Sequence, residues 1–318
     1  MHRSVVAFAA IVVTGTAQAG VIDLGSMMGN ANIYTIKDFL PTKSDVEGAV
    51  VAGGNVSAGA YSINHVRNNA ATNGYALIAG GSLTMNGGSI ENGKSYVGGS
   101  VNLTSVAPLQ RTNVNPIDFA AATAYYKALS SDLAKVKSTG VVTSLWGGSV
   151  VTGSGRGGVD VFNVSADVFR TSHTWNLDKL IAGQTLIFNI SGANATFNDG
   201  GVTFEPLRGY NVLFNFPDAV SVNVKGIIGS VLAPYATVSA VEGVINGQVI
   251  VDTWKSGIQV NSNHYFAPVN LAGFRDTPAV VTNPSKVPEP GTLALLLAGV
   301  GVAVAARRGR RSAAPACA

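Results

Sequence analysis

Over much of the chain, apolar and polar residues alternate in short runs rather than recurring every three or four positions. Ser221-Val222-Asn223-Val224 and Ser100-Val101-Asn102-Leu103 each direct their apolar residues to one side, as a half-buried strand requires. Glycines and asparagines separate such runs and supply corners that need left-handed backbone. The runs also repeat. Ala79-Gly80-Gly81-Ser82-Leu83-Thr84-Met85 returns as Val97-Gly98-Gly99-Ser100-Val101-Asn102-Leu103. Gly229-Ser230-Val231-Leu232-Ala233 returns at the same offset as Gly247-Gln248-Val249-Ile250-Val251. Another copy, Ala52-Gly53-Gly54-Asn55-Val56-Ser57, stands upstream of the first at a longer offset, as though a loop had been inserted between them. Trp146-Gly147-Gly148-Ser149-Val150 reads as a further fragment of the motif. Short strands and corners at a fixed offset predict an all-β-dominated fold, a right-handed β-solenoid with layers about 4.8 Å apart. A β-sandwich is the alternative, but its strands do not repeat a motif at constant offset.

One segment has the other period. Asn115-Pro116 precedes Ile117 to Lys137, and Gly140 follows, the order of N-cap, first-turn proline and terminal glycine expected of a helix. Ile117, Ala121, Tyr125, Leu129, Leu133 and Val136 form a single apolar stripe. A helix over 117–137, about six turns long, must bury that stripe, and the side of the solenoid is the surface available to it.

Both ends have the pattern of targeting segments. Arg3, an apolar run from Val5 to Val13 and the small-x-small triplet Ala17-Gln18-Ala19 before Gly20 predict a signal peptide over 1–19, cleaved by signal peptidase at Gly20. At the other end Val287-Pro288-Glu289-Pro290 precedes an apolar stretch from Thr292 to Ala306, followed by Arg307, Arg308, Arg310 and Arg311. Fifteen helical residues span roughly 22 Å, short for a hydrocarbon core of about 30 Å. The arginines place that end in the cytoplasm. Residues 274–286, with Pro278 and Pro284, read as an extended linker, and 312–318 as a cytoplasmic tail remnant. The whole chain has 21 basic and 17 acidic residues. Arg3, the four C-terminal arginines and, among the acids, only Glu289 lie in the terminal segments, so Gly20 to Val287 is net neutral and lacks the basic face of a nucleic-acid binder. The single cysteine, Cys317, excludes an intrachain disulfide and is given no role.

The tripartite C-terminus resembles the PEP-CTERM sorting signal of exopolysaccharide-producing Gram-negative bacteria. The resemblance covers 287–311 and implies transient inner-membrane anchoring, processing by an exosortase near Pro288-Glu289-Pro290, and delivery to the cell surface or exterior. The body, 20–273, resembles a choice-of-anchor A domain, an adhesive module. The likeness rests on the Ala-Gly-Gly motifs, Ala121-Ala122-Thr123-Ala124-Tyr125, Val161-Phe162-Asn163-Val164, Asn211 to Phe216, Gly229 to Pro234 and Ile245 to Ile250. Its last third is also similar to bacterial ice-binding β-helix proteins, whose members place a long helix beside a solenoid.

Candidate chemistry is sparse. His65, His173 and His264 are isolated, without metal-site spacing. No G-x-S-x-G elbow, phosphate loop or cysteine pair occurs, so no catalytic, cofactor or metal residue is assigned. Asp160, Asp167, Asp178, Asp199, Glu205 and Asp218 lie in the second half and would matter only if two converged. Asn198-Asp199-Gly200-Gly201 reads as a turn. Of Trp146, Trp175 and Trp254, Trp254 is the ligand candidate, because it ends the strand Val249 to Val251 beside Lys255-Ser256-Gly257 and is expected at the surface. The reading is a non-enzymatic adhesive or matrix protein associated with exopolysaccharide or biofilm. Ice binding is the alternative, weakened by the lack of Thr-x-Thr after residue 19, and a polysaccharide-cleaving β-helix enzyme is the second.

Overall fold

The computed structural model describes residues 20–66, 74–197, 201–240 and 242–274. Strands dominate these residues and pair mostly in parallel. The repeated segments lie in register beside one another. Leu83 is opposite Val101 and Val231 opposite Val249, each pair separated by one repeat, and Val56 is opposite Leu83. The extra residues of the longer repeat fall between strand Val56–Ile63 and strand Tyr75–Ala79.

The Gly-Gly corners have a steric cause. A Cβ on Gly80 would lie 2.3 Å from the Gly53 carbonyl oxygen, and one on Gly98 would lie 2.4 Å from that of Gly80. The polar residue after each pair then links the layers. The Asp38 carboxylate accepts the Asn55 N–H at 2.7 Å, the Asn55 side chain accepts the Ser82 N–H at 2.9 Å, and Ser82 Oγ accepts the Ser100 N–H at 3.1 Å. Trp146-Gly147-Gly148 is not such a corner. It is the turn of an antiparallel hairpin in which Val141 faces Thr152 and Leu145 faces Gly148, with φ of 45° at Trp146 and 80° at Gly147, the primed geometry of a two-residue hairpin turn.

Strand order in the longest sheet is not the order of the chain. From the strand Ile33–Thr35 the first half runs outward through Val50–Ala52, Tyr75–Ala79 and Lys94–Val97 to Arg111–Thr112. After the helix, the chain resumes at the opposite edge with Val159–Ser165 and works back through Thr185–Ser191, Asn211–Asn215 and Ser230–Val238. Val249–Trp254 then closes on Ile33–Thr35, with Ile33 opposite Val249. The centre of this sheet is thus a seam between the two halves. A short antiparallel pair, Gly20–Ile22 with Val269–Leu271, joins the two ends of the body.

Central strands such as Val231-Leu232-Ala233 and Val249-Ile250-Val251 are buried on both faces, which explains their continuous apolar runs. One face lines an interior core that includes Val56, Leu83, Phe162, Phe188 and Phe214. Phe162, Phe188 and Phe214 stack at centroid spacings of 4.9 and 5.2 Å. The other face shares a second core with Ala122, Tyr126, Leu129 and Leu133 of the helix Phe119–Ala134.

That helix is shorter than 117–137. Its N-cap is Asp118, whose carboxylate accepts the Ala121 N–H, whereas Asn115 caps only the Ile117 N–H in the preceding turn. Tyr126 rather than Tyr125 is the fully buried tyrosine, and Ala122 rather than Ala121 faces the core. Three asparagines stacked beneath the phenylalanine column hold its second half. Asn215 Nδ2 donates to Asn189 Oδ1 and Asn189 Nδ2 to Asn163 Oδ1, both at 2.9 Å. The same amides also donate to helix-side carbonyls: Asn215 to Ser130, Asn189 to Leu133 and Asn163 to Val136. These bonds fasten the last turns of the helix and the segment just after it to the strands of the second half.

Candidate functional site

One row of inward residues can be followed across eight strands or bridges. Ala195 is opposite Val222, Val222 opposite Val238, and Val238 opposite Trp254. Phe39 bridges Trp254 to Val56, and Leu83 and Val101 follow. Because side chains alternate along a strand, the residue after each member faces outward. That outward row is Thr196, Asn223, Ser239, Lys255, Leu40, Ser57, Thr84 and Asn102. All but Thr196 and Leu40 are exposed. A second column begins at one end, where Asn86 lies opposite Thr104 and both are exposed.

Strand spacing sets the outward groups about 4.8 Å apart, so the row extends roughly 34 Å. Lys255 is its only ionisable member. Hydroxyl and amide groups both donate and accept hydrogen bonds. A ladder of them on a rigid sheet can meet a partner that presents repeated hydroxyls or ordered water, and it supplies neither a nucleophile with its base nor a metal-ligand set. Ser57, Thr84 and Asn102 occupy the same position in the three Gly-Gly repeats. A polar residue recurring just after each inward valine or leucine was therefore the signal in the sequence, but no single copy identifies it.

Trp254 is not a surface platform. It is wholly buried, stacks on Phe39 at 6.2 Å and donates its indole N–H to the Ser256 carbonyl at 3.2 Å. Its position in the strand places it in the inward row, which proximity to Lys255 could not reveal. Trp175 is also buried, packed on Phe169 at 5.2 Å. Trp146, at the hairpin turn, is 97% exposed.

The carboxylates have separate local roles. Asp160 is buried and accepts hydrogen bonds from Thr139 Oγ1, the Ser154 N–H and Gln184 Nε2. Burial pushes its pKa up, but these bonds outweigh it and leave the carboxyl below its ordinary value. Glu205 pairs with Arg208, Asp167 with Arg170, and Asp218 accepts the Gly192 N–H. Asp178 is exposed. Asp199 and the Asn198–Gly200 turn lie outside the described residues. His65 Nδ1 is 3.3 Å from the Val46 carbonyl oxygen, His173 is exposed, and burial lowers the pKa of the half-buried His264. Among the described residues no group of three potential metal ligands comes together.

Of the targeting residues, Gly20 is described and begins the first strand. Ala17, Ala19, Val287, Pro288, Glu289, Pro290, Arg307, Arg308, Arg310 and Arg311 lie outside the described residues. So does the apolar segment 292–306, and among the described residues no helix is long and apolar enough to cross a membrane.

Residues 26–262 match the family described as a putative ice-binding-like adhesive domain, and residues 286–311 match the PEP-CTERM protein-sorting motif. That motif is the sorting signal recognised by exosortase and implies export to a surface or extracellular location in a Gram-negative bacterium. No curated protein matches the chain.

Proposed function

Since the chain belongs to the ice-binding-like adhesive domain family, we propose that it is a non-enzymatic adhesive or matrix protein that holds an extracellular polysaccharide along the Thr196 to Asn102 ladder. The observation that carries this reading is the ladder itself: a long, nearly uncharged row of hydroxyl and amide groups on a rigid sheet, matched to a polymer with repeating hydroxyls. The scaffold in this reading is one right-handed β-solenoid over 20–273, since parallel strands joined by crossovers take that hand, with the helix along its side. Signal peptidase releases Gly20 as the first residue. A linker over 274–286 then leads to the sorting signal, whose short apolar segment anchors the chain transiently until exosortase acts near Pro288. A surface destination together with a polyhydroxyl-binding face supports association with exopolysaccharide and biofilm.

Retention of the protein on the producer's own exopolysaccharide tests the reading. Thr84→Asp together with Asn102→Asp places repelling charges in the ladder and is expected to weaken retention at least tenfold. Unchanged retention would remove the ladder from the function. The regular spacing of the same row also supports ice binding as a second reading, although the row mixes Ser, Asn and Lys with Thr. Thermal hysteresis or inhibited ice recrystallisation without polysaccharide retention would replace the first reading with the second. Release of unsaturated or reducing sugar ends would instead make the protein a polysaccharide-cleaving enzyme.

A further inference from the structure

The hairpin strand Val141–Leu145 is the outermost of a three-stranded sheet whose order continues to Gly148–Thr152 and Trp175–Asp178. Val142 and Ser144 lie opposite the buried residues Val151 and Ser149. Val141, Thr143 and Leu145 therefore share the other face, where Val141 is 54% and Leu145 52% exposed. Thr143 is exposed as well.

Natural sheet edges are usually protected from pairing by charge, proline, a bulge or brevity. The Arg111–Thr112 edge of the long sheet has two of these, a two-residue length and an arginine. Val141–Leu145 has none. No charged residue or proline occurs between Lys137 and Arg156, and its pairing with Gly148–Thr152 is uninterrupted.

We propose that this edge pairs antiparallel with the same edge of a second copy, about a two-fold axis at Thr143. A second copy is the occupant the residues fit. Antiparallel pairing of a strand with itself is self-complementary. Centring it on Thr143 sets Val141 of each copy opposite Leu145 of the other, so both exposed apolar side chains meet an apolar partner of similar size, with Thr143 opposite itself. The uncharged strand brings no like-charge repulsion to this contact. A five-residue strand buries far less than the roughly 1,200–2,000 Å² of a stable interface, so the dimer is weak in solution and matters when many copies share a surface, where avidity multiplies weak contacts. This pairing does not depend on what the ladder binds.

The test uses exported protein recovered from the producing cells, in a Cys317→Ser background. Thr143→Cys brings two thiols within disulfide reach across the axis. Under mild oxidant it is expected to form a covalent dimer at least tenfold faster than Asn176→Cys, an exposed position on the far strand of the same sheet. Cross-linking no faster than this control overturns the proposal. Independently, Thr143→Asp opposes two carboxylates and is expected to raise the dimer dissociation constant at least tenfold in sedimentation equilibrium, with an unchanged thermal midpoint. A chain monomeric at every concentration, or a dimer indifferent to Thr143→Asp, also overturns it. If Thr143→Asp fails to fold, the cross-linking comparison decides.

Discussion

At the residue scale, the polar groups of greatest energetic consequence are inside. Asn189 donates both to Leu133 of the helix and to Asn163 of the next strand while accepting from Asn215. Asn189→Ala removes bonds to buried Leu133 and Asn215 and to exposed Asn163 and is expected to cost about 2 kcal/mol, read as a lowered urea midpoint. Asp160 provides a pH-dependent contribution. Its folded pKa lies below the ordinary carboxylate value because hydrogen bonds outweigh burial. The stabilisation is therefore complete above the unfolded pKa of about 3.9 and is lost as pH falls through the lower folded value. Thermal midpoints measured from pH 6 down to pH 2 should fall in the acid range, and Asp160→Asn should reduce that dependence while lowering stability at neutral pH. Neither role was legible in the sequence, because a lone Asn or Asp reads equally well as a turn residue. The Phe-Asn pair at 162–163 recurs at a constant offset at 188–189 and 214–215, and that offset was the missed signal.

At the scale of elements, the helix was legible as a helix but not in its phase. Tyr125 and Tyr126 are adjacent, and a stripe drawn through either fits a helical period. The structure buries Tyr126, whose hydroxyl donates to the Leu24 carbonyl at 2.7 Å, while half-buried Tyr125 donates to Asp23 at 2.9 Å. Leu129 and Leu133 belong to both phases, so their burial was readable from either. Leu129 is 2% exposed against the sheet. Leu129→Asp is expected to cost about 3 kcal/mol or more by burying an unpaired carboxylate, and an unchanged thermal midpoint would contradict this packing. The Gly-Gly corners were legible because stacked backbone excludes a Cβ at the same place in each layer. The Trp146 fragment shares their letters but not their cause, since its second half is built by antiparallel pairing.

At the scale of the whole molecule, intact-mass measurement of exported protein should find a chain that begins at Gly20 and has lost Arg307 to Ala318. Recovery with that tail attached would contradict the proposed processing. Fixed-offset repeats made the parallel pairing of neighbouring segments readable, because each repeat carries its own corner. The seam between the halves was not readable. Ile33–Thr35 and Val249–Val251 come from opposite ends of the body, and nothing in either strand names the other. That separation sets a sequence of events in time. A strand near the start of the body must wait for one near its end, and long-range parallel pairing is slow. During passage across the inner membrane, Ile33–Thr35 has no seam partner until residue 251 has emerged, so the central sheet closes only after nearly all of the body has been delivered. The same connectivity that joins the two halves therefore leaves this seam open while the chain is being threaded and makes completion of the fold a late step, taken on the far side of the membrane.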